Sequence, residues 1–514
     1  MIDAPQELHF NALTDAWLPL LHADGSAELA SPVEVLAGEK DAPDLDYPRD
    51  DFRVYARLLL SGLLQALFAP PTLEALRERV ETPMSRREIE ARIRPVLGDF
   101  DLFGPTPFLQ VTPPQTAPKK GAAPFVFSEP DLYQPPVRVD AICLPMAVVT
   151  VFVEQTYAGG AGRGYGAGPG GQPGAFTVIN PGTVRRAAWA NTLASERIRH
   201  AADRARPWSN EKRAARPRAA TGLVEGLFFQ PRAIWLLPAG VGQCTVTGRQ
   251  GPLVRLSPFQ PKSELTRKPS KGEDVWQHPC APLWVNSQGI GAVRLNAERP
   301  AWTGLAQLLD PVSKGQRAKT HPLEGPAPVV AQWKSLGVRP KRASMLVIDF
   351  DRDKANVKRR FFEGFPLTEG LVEDHDVVER LRELVDDAQG VERALVRALE
   401  RAHSTQKRGG LALGDARSEL WTGTEAPMLE WLDAVSSLDR DTASGEGAAG
   451  LLEKEMRETL RQRAQNIFNA HAQMSEMDPR MQPRIAKARR WLRSELWPRP
   501  TIVNADPPIP KETP

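Results

Sequence analysis

Cysteine is scarce in this 514-residue chain: there are three, Cys143, Cys244 and Cys280, far apart and odd in number. They build no disulfide framework and no C-x-x-C zinc site. No run of about 18 apolar residues occurs, which argues against a transmembrane helix. The opening MIDAPQELHF is acidic and lacks the basic-then-apolar order of a signal peptide, so a cytoplasmic protein is expected. The eight histidines are scattered, with no i, i+4 or H-x-H pair. There is no G-x-S-x-G elbow, and no base stands near a cysteine, so nothing points to nucleophilic catalysis. The dipeptide in EDHD (Glu373 to Asp376) offers one His-Asp pair, but acidic residues there also favour a helix N-terminus. It leaves one enzymatic alternative, a metal-dependent nuclease built on His375. No cofactor and no metal are expected.

Glycine is abundant and concentrated. Nine of the eighteen residues from Tyr157 to Gly174, YAGGAGRGYGAGPGGQPG, are glycine. The stretch contains no lysine, so it is not a P-loop. Its GAGPGG fits G-x-G-x-x-G, but QPGAFTVINPG follows, which reads as turn, strand, turn rather than the helix a dinucleotide site requires. Apolar runs flank it, MAVVTVFVEQ before and AFTVI after, so a folded scaffold is expected to hold it. A backbone without side chains can approach a surface closely, and the DNA minor groove is one such surface.

The net charge of +3 hides segregation. Met1 to Asp51 carries twelve acidic and two basic residues. Pro181 to Ala220 carries ten basic and three acidic residues, and Gln332 to Phe361 nine basic and three acidic. Such basic segments can neutralise phosphates and release counterions; a solvated charged surface is the plainer reading of either one alone.

Periodicity and turn signals predict an α+β protein. The first 360 residues read as mixed α/β, with a buried helix over Arg49 to Phe68 and strands in LFFQPRAIWLLP and ASMLVIDFD. Pro and Gly mark loops over about 104–136 and 310–328. A C-terminal four-helix bundle follows, with helices over Thr368 to His403, Ala416 to Val435 (broken by Pro427), Ala448 to Gln473 and Pro483 to Trp497. In the third, Leu452, Met456, Leu460, Ile467 and Phe468 are expected to face inward. The expected boundaries are 1–362 for the mixed domain, 363–498 for the bundle and 499–514 for a disordered Pro-rich tail.

The N-terminal FNALTDAWLPL (Phe10 to Leu20) resembles the F-N-L-L-T-D-x-W-I-P-V opening of the CasA family, the large subunit of the type I-E CRISPR surveillance complex, Cascade. YPRDDFRVYARLLLSGLLQALF, TPFLQ, EGLFFQPRAIWLLP, WQHPCAP and RPAWTGLAQLL match that family in order. The resemblance implies an N-terminal domain of family-specific fold and a subunit without catalytic activity. Such a subunit reads the protospacer-adjacent motif in double-stranded DNA, starts strand separation and recruits a helicase-nuclease. It implies guide RNA and the small and backbone Cascade subunits as further partners, and no membrane. By residue, the resemblance puts the minor-groove glycine loop at Gly159, Gly160, Gly162 and Gly164, with Arg163 as a phosphate contact. Lys262 matches the lysine finger, with Lys268 and Lys271 as rivals. Arg339, Lys341 and Arg342 match the duplex wedge, Arg342 standing where the family carries glutamine. Phe125, Val126 and Phe127 match a loop near the guide RNA and the motif. Some relatives hold zinc with two C-x-x-C pairs, and this chain has none. A scaffold subunit that does not read DNA is the remaining alternative.

Overall fold

The computed structural model describes residues 8–112, 139, 141–157, 174–208, 220–257, 260–261, 276–286, 289–310, 325–337, 343–353, 356–367, 371, 375–403, 413–437, 447–473 and 479–497. The chain divides into two compact units, one of Met1–Ala297 with Ala301–Glu379, the other of Glu298–Pro300 with Arg380–Pro514.

The first unit opens on a small antiparallel sheet of order β2-β1-β3, from β1 (Leu18–Leu21), β2 (Ala27–Ala30) and β3 (Asp44–Leu45). Between β2 and β3, helix α1 (Pro32–Leu36) starts in a capping box of Ser31 and Glu34, with proline at its first position. The predicted central helix is α2 (Asp50–Leu67). Asp50 and Asp51 lie in its first turn, where the helix dipole favours them. Its leucines are buried nearly all round, each contributing roughly 1.5–3 kcal/mol by leaving water. Helices α3 (Leu73–Glu81) and α4 (Arg86–Ile93) follow, capped by Thr72 and Ser85.

Strand β4 (Ile142–Cys143) leads into α5 (Leu144–Thr156), and β5 (Phe176–Asn180) into α6 (Val184–Ala190). Then come α7 (Leu223–Leu227), β6 (Arg232–Ala233), β7 (Leu236–Gln243), β8 (Gln250–Leu256) and β9 (Gln260–Pro261). The unit continues with β10 (Leu283–Asn286), β11 (Gly289–Ala292), α8 (Leu305–Leu309), α9 (Pro328–Leu336), β12 (Ser344–Asp353) and β13 (Asn356–Pro366). The largest pairing is the β12–β13 hairpin, with β5 antiparallel on the other edge of β12. A second sheet has the order β4-β8-β7, and β6 pairs with β9.

The sequence stretches that matched in series pack on one another. Phe228 touches Gly62 of α2, and its ring lies 6.1 Å from Phe108 and 6.0 Å from Phe152. The Trp276 indole lies against Gly226, where an added Cβ would meet the ring at 2.1 Å, and its Nε1 donates to the Gly222 carbonyl at 3.1 Å.

The second unit is helical. Helix α10 (His375–Ala402) begins in the first unit and runs on into the second from Arg380. It is followed by α11 (Leu413–Trp421), α12 (Glu425–Ser437), α13 (Ala448–Gln473) and α14 (Gln482–Leu496). The apolar stripe of α10, from Val377 and Val378 through Leu395 and Leu399, is buried. The second predicted helix is broken at Thr422–Thr424, with Gly423 at φ +72°, rather than at Pro427. Pro427 lies in the first turn of α12, where the missing N–H costs nothing. On α13, Met456, Leu460, Ile467 and Phe468 are buried as expected, but Leu452 is only half-buried. The inward place beside it belongs to Glu453, which accepts from Arg380 Nη2 at 2.6 Å and Trp431 Nε1 at 3.0 Å. The Glu298–Pro300 segment is held by Arg299 Nε on Glu392 at 2.7 Å and Arg417 Nη1 on Glu298 at 2.6 Å.

Candidate nucleic-acid interface

Helix α5 is buried on every side, which is why its sequence shows an apolar run rather than a stripe. Its last turn carries polar side chains inside the core. Glu154 and Arg232 are both essentially without solvent exposure. Arg232 Nη1 donates to the Glu154 carboxylate at 2.7 Å and to its backbone carbonyl at 2.6 Å. Removing one partner of such a pair strands a buried charge, at about 3–5 kcal/mol. Next along the helix, Gln155 Nε2 donates to the carbonyls of Leu109 at 2.8 Å and Arg232 at 2.9 Å. Gln155 Oε1 accepts from the Arg232 backbone N–H at 3.2 Å. Leu109 is left-handed at φ +56°, an uncommon state for a leucine and one that this buried contact helps hold.

Tyr157 ends the helix inside an aromatic cluster. Its ring stacks on Tyr55 at 4.8 Å and meets Phe152 and Phe176 edge-on, each at 5.4 Å. The Tyr157 hydroxyl lies 2.9 Å from His278 Nε2, while His278 Nδ1 accepts the Cys280 N–H at 3.0 Å. That second bond fixes the tautomer: the ring proton is on Nε2 and is donated to the tyrosine oxygen. Burial pushes the His278 pKa down to about 3 and the Tyr157 phenol well above its ordinary value, so both are neutral. The chain returns at Gly174, at φ +87°, where a Cβ would lie 2.3 Å from the Val293 carbonyl oxygen. Ala175 then donates to Val293 at 2.8 Å and β5 begins. The glycine-rich stretch thus leaves at Tyr157 and returns beside Phe176, whose rings touch.

The residues named from the sequence lie outside the described residues: Phe125, Val126 and Phe127, Gly159, Gly160, Gly162, Arg163 and Gly164, Lys262, and Arg339, Lys341 and Arg342. What the structure places is where their segments are rooted. The segment holding Phe125 to Phe127 departs just after Leu109, on Gln155, and Val111 donates to Ile234 at 2.9 Å. It returns at Ala141, whose carbonyl accepts from the Thr245 N–H at 3.1 Å. Lys262 follows Pro261, which pairs with Arg232, the residue clamped by Glu154 and Gln155. Three segments are therefore rooted on the last turn of α5. The fourth, with Arg339, Lys341 and Arg342, leaves α9 at Gly337, φ +64°, and rejoins the fold at Ser344. Ser344 pairs with Asn180, while Phe176 pairs with Ile348. This root is therefore about 14 Å along β5 from the exit of the glycine stretch, at roughly 3.4 Å per residue.

Some of the basic residues have structural work. Arg185 is buried and donates to the carbonyls of Arg79 at 2.9 Å and Val80 at 3.2 Å, closing the end of α3. Arg206 pairs with Asp99 at 3.2 Å and Arg204 with Glu225 at 3.4 Å. His375, the residue of the nuclease alternative, begins α10 between two carboxylates. Its Nδ1 is 3.5 Å from Asp310 and its Nε2 3.7 Å from Glu379. Asp310, His375 and Glu379 form the one group of potential metal ligands found among the described residues. One donor atom from each of the three lies within 4.8 Å of the others.

The fold has close counterparts among solved structures. CasA (Cse1) of Thermus thermophilus aligns over 95% of this chain and 99% of its own, with a TM-score of 0.69 at 17% identity. Cse1 of Acidimicrobium ferrooxidans aligns over 96% and 98%, with a TM-score of 0.68 at 18% identity. A chain of a structure described as a CRISPR RNA-guided surveillance complex aligns over 95% and 100%, with a TM-score of 0.68 at 16% identity. At these identities the likeness defines a fold class, a mixed α and β chain of the CasA type. The sequence itself goes further: the pattern of CRISPR-associated protein Cse1 matches residues 11–467. The chain belongs to the Cse1 family, which is the CasA family that its motifs resemble.

Proposed function

We propose that this chain is the non-catalytic large subunit of a type I-E RNA-guided surveillance complex, reading the protospacer-adjacent motif of double-stranded DNA from the minor groove. The observation that carries this reading is the common rooting of three segments on the last turn of α5. A reader must hold a glycine backbone and a lysine in fixed relation to one duplex, and a rigid buried root supports that. In this reading Gly159, Gly160, Gly162 and Gly164 approach the base edges, and Arg163 meets phosphate. Lys262 bonds minor-groove acceptors. Arg339, Lys341 and Arg342 open the first base pair, and Phe125 to Phe127 lie near the guide RNA. Base pairing with the guide then reads the remaining sequence. The helices of the second unit act as a four-helix bundle, with α11 and α12 together as its second member, that packs on the small subunits and guides the displaced strand. A helicase-nuclease is recruited afterwards. The domain limits 1–362, 363–498 and 499–514 belong to the same proposal.

The test is target-duplex binding by the reconstituted complex, with and without the adjacent motif, for the native chain and Gly162→Val. The native complex should prefer motif-bearing DNA, and the valine variant should assemble but lose the preference. Equal binding of both duplexes by both proteins would remove motif reading from this loop.

A further inference from the structure

We propose that Cys143 and Cys244 are a modification site, a thiol pair that closes to a reversible disulfide on exposure to a peroxide. The two are distant in sequence, but the fold brings them together. Cys143 ends β4, which pairs with β8 at Leu253. Cys244 follows β7, on the other edge of β8, and begins a tight turn in which Gly248 N–H donates to its carbonyl at 2.9 Å. That turn folds across toward β4, since Thr245 donates its N–H to the Ala141 carbonyl at 3.1 Å. Thr247 bridges both sulfurs: its Oγ1 lies 3.6 Å from Cys143 Sγ, and its N–H donates to Cys244 Sγ at 3.5 Å. Both sulfurs therefore lie against the same threonine.

The pair is chemically asymmetric. The Cys143 thiol and the Thr247 N–H and hydroxyl hold the Cys244 thiol well below its ordinary pKa. The same contact with Cys244, together with burial, pushes Cys143 up. A cavity of about 630 Å³ opens on Cys143, lined also by Asp15, Leu144 and Arg249, and brings a small oxidant to the Cys143 side of the pair. One thiol of the pair attacks a peroxide oxygen as its thiolate; the O–O bond breaks, the sulfenic acid forms, and hydroxide leaves and is protonated to water. The other thiol then attacks that sulfur, its proton and the sulfenic hydroxyl leave as a second water, and the S–S bond forms. Two thiols lose two electrons and one hydrogen peroxide becomes two waters. Cys280 supplies an internal control: it is buried, burial pushes its thiol up, and its Sγ faces Asn191 Oδ1 at 3.8 Å. The bond would tie the N-cap residue of α5 to the 244–249 turn.

The test uses the full-length protein treated with hydrogen peroxide, quenched with catalase, unfolded in urea with iodoacetamide present and digested without reductant. Alkylatable cysteines should fall from the three in the sequence to Cys280 alone. A linked pair of peptides bearing Cys143 and Cys244 should appear and vanish with dithiothreitol. In Cys244→Ser, Cys143 should remain alkylatable. Three alkylatable cysteines after peroxide would overturn the proposal. So would Cys244 advancing to sulfinic acid with Cys143 free, or a bridge that involves Cys280 or a second copy of the chain.

Discussion

His278 shows how one buried side chain ties the root of the glycine-rich stretch to solution conditions. It is neutral in the folded chain, with its pKa pushed down to about 3 by burial, whereas in the unfolded chain it has the ordinary value of 6.5. Between those values the unfolded chain binds a proton that the folded chain does not, so stability rises with pH in that window. The contribution is complete above about pH 6.5 and is lost as pH falls toward 3, at ~1.4 kcal/mol per pH unit for one proton. Burial lowers His200 and His403 as well, which adds in the same direction. Urea midpoints measured from pH 7.5 down to 5 should therefore decline, and His278→Gln should decline less steeply. A native midpoint independent of pH would contradict the neutral, buried histidine.

Among the elements, α5 matters most, because its final turn anchors chain that arrives from far away in sequence. Gln155 bonds Leu109, 46 positions earlier, and Arg232, 77 positions later. Gln155→Leu should cost about 2–4 kcal/mol, since two carbonyls and one N–H lose a buried partner. Urea unfolding of the variant measures it, and a loss below about 1 kcal/mol would mean that the roots hold without the amide. None of this was legible in the sequence. Glutamine has no periodicity, and its partners are set by tertiary contact alone. Gln65 and Gln332 do similar work, bonding backbone at Leu193, Thr192 and Ala194. Amphipathic helices were legible: the apolar stripe of α10 and the bounds of α13 are local properties of the chain. Where a charged group took an inward place, as Glu453 did, hydropathy pointed to its neighbour Leu452. The thiol pair escaped notice because sequence distance, not strand order, suggested that the cysteines lie apart.

For the whole molecule, a net charge of +3 understates its expected response to salt, because basic residues are gathered in segments and some are already spent on carbonyls and carboxylates. If Lys262 reaches the duplex at a phosphate-rich groove, Lys262→Ala in the complex should flatten the dependence of log affinity on log salt by up to about 0.9. An unchanged slope would take Lys262 away from DNA. The meeting of Tyr157 with Phe176 has a consequence for descent. The chain between them begins and ends on the same cluster of rings. Doubling the length of such an insert adds only about 0.6 kcal/mol of closure entropy. Insertions, deletions and exchanges there can accumulate while the core stays folded, so a lineage can revise this stretch without rebuilding the scaffold around it.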